Sequence, residues 1–318
     1  MDVPEVVQGV LDGDPRLVAR AISMVEDGAE VLPELIAGLY PSTGRAYTIG
    51  LTGSPGVGKS TLAATLVGAA RARDLGVAVL AVDPTSPFTG GALLGDRLRM
   101  QSHATDPKVF IRSMATRGHL GGLALAAPEA VRVLDASGAD IIMIETVGVG
   151  QAEVEVAREA DTTLVVVAPG WGDAVQASKA GILEIADVFV VNKADREGAK
   201  QAARDLEQML HMGPELEWTP PIVQTTATTG DGIDGLWEAI ESHRKHLEGT
   251  GRLEDRRRER ILREVEEMVL ARLRRRMAAT LEAGALEELG DDLVARRVDP
   301  YEATDILLER LSPTEERG

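Results

Sequence analysis

The run Gly53-Ser54-Pro55-Gly56-Val57-Gly58-Lys59-Ser60 has the spacing G-x-x-x-x-G-K-[ST]. Glycines at those positions let successive backbone N–H groups converge on a phosphate chain, and a helix opening near Lys59 adds the positive end of its dipole. Lys59 then reaches the β- and γ-phosphates, and the Ser60 hydroxyl takes a Mg²⁺ position. The run follows an apolar strand, Tyr47 to Leu51, which is the context that separates a phosphate loop from an ordinary glycine-rich turn.

A second motif, Asn192-Lys193-Ala194-Asp195, follows the apolar run Val188 to Val191. A loop at the carboxyl end of a parallel strand faces the ligand crevice of such a sheet. A carboxylate at Asp195 can accept from both N1–H and the exocyclic amine of guanine. Adenine presents an acceptor at N1 and leaves that carboxylate poorly paired, so the motif favours GTP over ATP. Thr226-Ala227-Thr228, after the run Ile222 to Thr225, stands where such proteins turn a Ser-Ala backbone toward the base.

Two carboxylates end strands between these motifs: Asp83 after Val77 to Val82, and Glu145 after Ile141 to Ile144. Together with Asp96 they are candidate Mg²⁺ ligands, directly or through water, against a competing reading as capping or turn carboxylates. Glu145-Thr146-Val147-Gly148 resembles a D-x-x-G switch in which the Gly148 N–H meets the γ-phosphate. Val149 occupies the position where many GTPases carry a water-orienting Gln, and Gln151 is displaced by two residues, so slow intrinsic hydrolysis is expected. Pro169-Gly170-Trp171-Gly172-Asp173, leading to Lys179, is either a mobile contact loop or a plain connection. His243 and His246, without a third ligand nearby, are read as a solvated helix end rather than a zinc site.

Positioning these groups requires a strand before each motif. Apolar runs at 47–51, 77–82, 109–111, 141–144, 163–167, 188–191 and 222–225 alternate with helical stretches, which predicts an α/β fold: a P-loop NTPase parallel sheet wound with crossover helices. Residues 1–42 read as short amphipathic helices separated by Gly13, Gly28 and Pro33. Residues 43–248 are the expected P-loop domain and 249–318 a helical extension. In that extension Leu262, Val265, Val269, Leu273, Met277 and Leu281 recur at three and four. That stripe needs a cover, either a second copy of the chain or the helices of residues 1–42. The ten arginines between Arg252 and Arg276 are interleaved with six acids and read as a solvated, salt-bridged face.

Composition narrows the function classes. The 318 residues carry 34 Lys+Arg against 51 Asp+Glu, a net charge of −17, which disfavours nucleic acid and anionic membrane surfaces as partners. Without a single cysteine, thiolate zinc sites, disulfides and thiol catalysis drop out. No apolar run approaches the ~20 residues of a membrane span, and Met1-Asp2-Val3-Pro4-Glu5 lacks a secretory pattern, so a cytoplasmic protein is expected.

Several strings together resemble one family. They are Gly53 to Thr61, Asp83-Pro84-Thr85-Ser86, Gly90 to Asp96, Gly118-His119-Leu120-Gly121-Gly122, Glu145-Thr146-Val147-Gly148-Val149-Gly150-Gln151 and Asn192 to Asp195. They are similar to the methylmalonyl-CoA mutase-associated GTPases, the MeaB-like or ArgK family, over about residues 8 to 260. The resemblance implies a GTP/GDP-binding core with Mg²⁺, a C-terminal homodimerising extension, and a chaperone role for an adenosylcobalamin-dependent methylmalonyl-CoA mutase. It also places the Mg²⁺-linked carboxylates on Asp83, Asp96 and Glu145, and a mobile switch on Pro169 to Lys179. Arg112-Ser113-Met114-Ala115-Thr116-Arg117 and Trp171 depart from the family pattern. Two other classes compete. A small-molecule kinase linked to amino-acid transport, the activity that the ArgK name implies, needs an acceptor pocket with a base and usually a lid of arginines over the phosphates. The sequence shows no Arg-rich lid with a route to the P-loop, and Asn192 to Asp195 argue for guanine. A nickel-delivery GTPase should add Cys or His ligands, and zero Cys with scattered His count against it.

Overall fold

Runs of Val, Ile and Leu with no polar alternation are the pattern of strands covered on both faces, and seven such runs form one sheet. In a computed structural model of the chain, residues 2–84, 105–116, 123–146, 158–170, 184–213, 216–280 and 286–311 are described. The strands are β1 Tyr47–Thr52, β2 Val77–Pro84, β3 Val109–Thr116, β4 Ile141–Thr146, β5 Thr162–Val167, β6 Val188–Asn192 and β7 Ile222–Thr225. Their order is β3-β2-β4-β1-β5-β6-β7, and every neighbouring pair is parallel. Because all seven run the same way, each loop that follows a strand leaves from the same edge. β1 lies between β4 and β5, the point where the winding reverses and a ligand crevice opens.

Ten α-helices are found among the described residues. α1 Val3–Leu11, α2 Pro15–Glu26 and α3 Leu32–Leu39 lead into the sheet, with turns at Gly13 and Gly28. Pro33 does not separate helices as the sequence reading has it. It sits in the first turn of α3, where its missing N–H has no intrahelical partner to lose. α4 Lys59–Arg71 and α7 Ile233–Thr250 cover one face of the sheet over Ile49, Leu51, Val79 and Val190. On the other face, α1 to α3 and α5 Leu123–Ala136 share a core with Leu80, Ile142 and Ile144. α6 Ala199–Met212 covers Val165, Val167 and Phe189.

β3 is longer than the apolar run 109–111 suggests, because Arg112 finds a tertiary partner. Its guanidinium donates to Glu26 Oε2 at 2.7 Å and to Ser23 Oγ at 2.9 Å, both on α2. A charged residue can then stay in a covered strand.

The chain divides into two compact units, Met1–Ile261 and Leu262–Gly318, with α8 Arg252–Thr280 running across the boundary. The second unit continues with α9 Leu286–Val294 and α10 Pro300–Leu311. Along α8, Leu262, Val265, Val269, Leu273 and Met277 are all exposed, whereas Ala271 is buried.

The first turns of α8 are not the solvated face that their composition suggests. Arg257 and Arg260 converge on the buried Asp161 at 2.6 and 2.9 Å, and Arg256 donates twice to Asp187, at 2.9 and 3.0 Å. Asp161 also accepts from the Thr48 N–H, and Asp187 from the Thr163 N–H, so the two carboxylates fasten the amino-terminal ends of β1 and β5. His243, read as solvated, is fully buried. Its Nδ1 lies 2.8 Å from Thr162 Oγ1 and its Nε2 3.2 Å from Asp187 Oδ1, with Trp218 against the ring.

Burial works to raise both carboxyl pKa values, but the opposing groups win. Arg257 and Arg260 hold Asp161 below its ordinary 3.8, and His243 and Arg256 do the same for Asp187. A carboxylate whose pKa is depressed by folding contributes stability above its unfolded value, and that stability is lost as pH falls through the folded one. Thermal unfolding followed by circular dichroism should therefore show a plateau above about pH 5 and a steep decline below the ordinary aspartate value near 3.8. Asp161→Asn should lose roughly 3–5 kcal/mol at neutral pH in urea titration, because Arg257 and Arg260 are left facing an uncharged amide. A loss under about 1 kcal/mol would contradict a stabilising role for the clamp.

Candidate functional site

The turn between β1 and α4 folds as it does because two positions admit only glycine. Gly53 has φ +136°, and a Cβ there would stand 2.1 Å from the Val166 carbonyl oxygen of β5. At Gly58, φ is +99° and a Cβ would meet Asn192 Nδ2 at 2.5 Å. Side chains are thus excluded where the loop crosses β5 and where it meets the loop after β6. Pro55 and Gly56 are exposed at its tip, Ser54 is half-buried, and Val57 is buried.

Lys59 is buried, and its Nζ donates to the Gly53 and Ser54 carbonyls at 2.5 and 3.3 Å. The loop thus holds the ammonium inside its own curve, the position from which a cation can meet a phosphate chain. Ser60 follows with its Oγ donating to Glu145 Oε1 at 2.6 Å. This contact is built by register: Glu145 pairs with Leu51 across β4 and β1, so it sits beside the start of the loop. A hydroxyl and a carboxylate at this separation, both buried, are the hard oxygen donors that Mg²⁺ prefers, and the pair could hold it. When bound, the ion would offset the negative charge of the phosphate chain.

Asn192 joins three loops. Its Nδ2 donates to the Val57 carbonyl of the phosphate loop at 2.9 Å, and its Oδ1 accepts from the Ala227 N–H at 3.1 Å and the Thr225 Oγ1 at 3.3 Å. Lys193, at φ +57°, lays its Nζ on the Gly56 carbonyl at 2.6 Å. The Ala194 N–H donates to the Thr225 carbonyl, and the Asp195 carboxylate stands exposed in the turn that follows. Thr226 is buried and bridges to Asp231, Ala227 is buried, and Thr228 is exposed. The fold therefore brings Gly53 to Thr61, Glu145, Asn192 to Asp195 and Thr226 to Thr228 to one edge.

Other expected site residues are separated from this description. Asp83 lies in β2 at the same edge, with β4 between β2 and β1, and its side chain is outside the described residues. Asp96, Gly148 and Lys179 are themselves outside the described residues.

Thr65 is a residue the sequence reading passed over. One turn beyond Thr61 on α4, its Oγ1 lies 2.9 Å from the Thr61 carbonyl and 2.8 Å from the Ala227 carbonyl. The signal was a hydroxyl residue one helical turn from the phosphate loop among Leu and Ala, at a spacing that puts both on one face. Arranged in this way, the edge can cradle a phosphate chain with backbone amides and an ammonium, hold a divalent cation, and offer a carboxylate and a fixed backbone to a base.

Comparison with known proteins gives the site its context. The sequence profile described as "Methylmalonyl Co-A mutase-associated GTPase MeaB" matches residues 18–282. A protein of Pyrococcus abyssi is 50% identical over 313 residues, covering 97% of each chain. The GTPase ArgK of Escherichia coli is 36% identical over 282 residues, covering 85% of each. A solved structure described as an LAO/AO transport system kinase superposes with a TM-score of 0.70 at 27% identity, over 97% of both chains. With a phosphate loop at the centre of a parallel sheet and a family profile spanning most of its length, the chain belongs to the MeaB family of P-loop GTPases.

Proposed function

We propose that the chain binds GTP and GDP with Mg²⁺ along the β1 edge and uses the bound nucleotide to assist an adenosylcobalamin-dependent methylmalonyl-CoA mutase in cofactor loading or protection. The observation that carries the nucleotide reading is the Asn192 junction, since one amide fixes the phosphate loop, the Asn192–Asp195 loop and the Thr226–Thr228 loop together. The family description supports the mutase as partner. In this reading Gly53 to Thr61 hold the phosphates, Lys59 neutralises the γ-phosphate, and Gly148 donates to it. Ser60 and Glu145 hold Mg²⁺ with Asp83 and Asp96, and Asp195 reads guanine beside Lys193, Thr226, Ala227 and Thr228.

With Val149 in place of a water-orienting Gln, hydrolysis is slow until the partner completes the site, and Lys179 is the group we assign to that completion. By role, residues 1–42 brace the sheet, 43–248 carry the nucleotide chemistry and 249–318 form the extension. The compartment we infer is the cytoplasm, and no described helix is long and apolar enough to cross a membrane.

Asp195→Asn removes a charged acceptor serving two guanine donors, each worth ~1.5–3 kcal/mol, so GTP affinity by calorimetric titration should fall at least roughly tenfold. An unchanged affinity would refute guanine reading at Asp195.

The exposed stripe on α8 supports a homodimer. At micromolar concentration the protein should sediment as a dimer, and Val269→Glu with Leu273→Glu as a monomer that still binds GDP. A wild-type monomer would remove the dimer reading.

A further inference from the structure

Ala227 is gripped from two directions. Its N–H reaches Asn192 on β6, and its C=O lies 2.8 Å from the Thr65 hydroxyl on α4. On one side Ala227 is buried in the core that α4 and α7 share, and on the other the loop borders open space. A groove of about 750 Å³ runs along α4 past Ala64, Thr65 and Gly68 to Thr228, Gly230 and Ile233. Contact anchors the Ala227 side chain, while the exposed Thr228 leaves the peptide that follows without cover, so the tie from Thr65 to the Ala227 carbonyl limits how far that peptide can shift beside the groove.

We infer that Thr65 is a specificity-determining positioning residue for the base: through its hydroxyl it holds the Thr226–Thr228 main chain at the height where that main chain meets the 6-oxo group of a guanine. This deepens the guanine reading above and rests on it. Asp195 and the Thr226–Thr228 loop divide the base between them. The carboxylate takes N1–H and the 2-amine, and the loop backbone takes the 6-oxo edge, which adenine replaces with an amine. The Thr65 hydroxyl has one proton for two carbonyls, those of Thr61 and Ala227. A helical threonine can spend that proton on its own helix, so the bond to Ala227 is tested by removing the hydroxyl at constant shape.

The test compares the wild-type protein with Thr65→Val, which keeps the branched shape, and Thr65→Ser, which keeps the hydroxyl. Each is titrated with GDP, with inosine diphosphate (6-oxo, no 2-amine) and with ADP. Loss of one neutral hydrogen bond predicts that Thr65→Val weakens GDP and inosine diphosphate by the same factor, roughly threefold to tenfold. ADP binding stays as in the wild type, and Thr65→Ser retains wild-type affinities. The GDP to inosine diphosphate ratio, which reports Asp195, is therefore unchanged in Thr65→Val. A merely structural role would lower affinity for all three nucleotides alike, and that outcome overturns the proposal. So does wild-type GDP affinity in Thr65→Val, or a loss in Thr65→Ser equal to that in Thr65→Val. A wild-type protein that binds ADP as tightly as GDP overturns the guanine reading itself, a result distinguishable from failure at Thr65.

Discussion

The organisation of the nucleotide edge depends on a single buried carboxamide. Asn192 uses its NH₂ on the phosphate loop and its oxygen on the β7 loop, and an amide is the side chain that can donate on one side and accept on the other without carrying charge into the interior. An aspartate there would turn an acceptor toward the Val57 carbonyl and carry a charge in a buried position; a leucine would leave a buried N–H and a carbonyl unpaired. The close approach at Gly58, where even a methyl group would meet the Asn192 amide, belongs to the same constraint. Glycine and asparagine are complementary parts of one contact, though 134 positions apart (192 − 58).

At the opposite ends of the strands the physics differs. There the backbone N–H groups of Thr48 and Thr163 are taken up by Asp161 and Asp187, and these buried carboxylates are compensated by three arginines from the first turns of α8. Two elements beyond the nucleotide motifs thus complete the sheet: α1 to α3 on one face and the start of α8 at its base. The GTPase core therefore extends through Ile261 as a physical unit, and the apolar stripe begins just beyond it.

Much of this was legible in the sequence, and the exceptions have a common cause. The seven strands, the phosphate loop and the Asn192 motif depend on local pattern: apolar runs, glycine spacing, and motifs placed directly after strands. What pattern could not supply was the partner of a charged residue. Arg112 looked like the end of a strand until Glu26, 86 positions earlier, satisfied it, and Arg256, Arg257 and Arg260 looked solvated until Asp161 and Asp187 were seen to face them. His243 followed the same rule, reading as a surface residue from its polar helix while its ring packs against Trp218 and Asp187. Thr65 was passed over because a lone threonine in a helix carries no motif; only the return of the chain at Ala227 gives its hydroxyl a role.

The central claim is that three loops distant in sequence act as one guanine-nucleotide site. Amide hydrogen exchange of the full-length protein with Mg²⁺ and saturating GDP, read by mass spectrometry, tests it most directly. The account predicts that peptides spanning residues 53–61, 192–195 and 226–228 gain protection together, and that ADP at the same concentration protects none of them. Protection confined to residues 53–61, or equal protection by GDP and ADP, would contradict it.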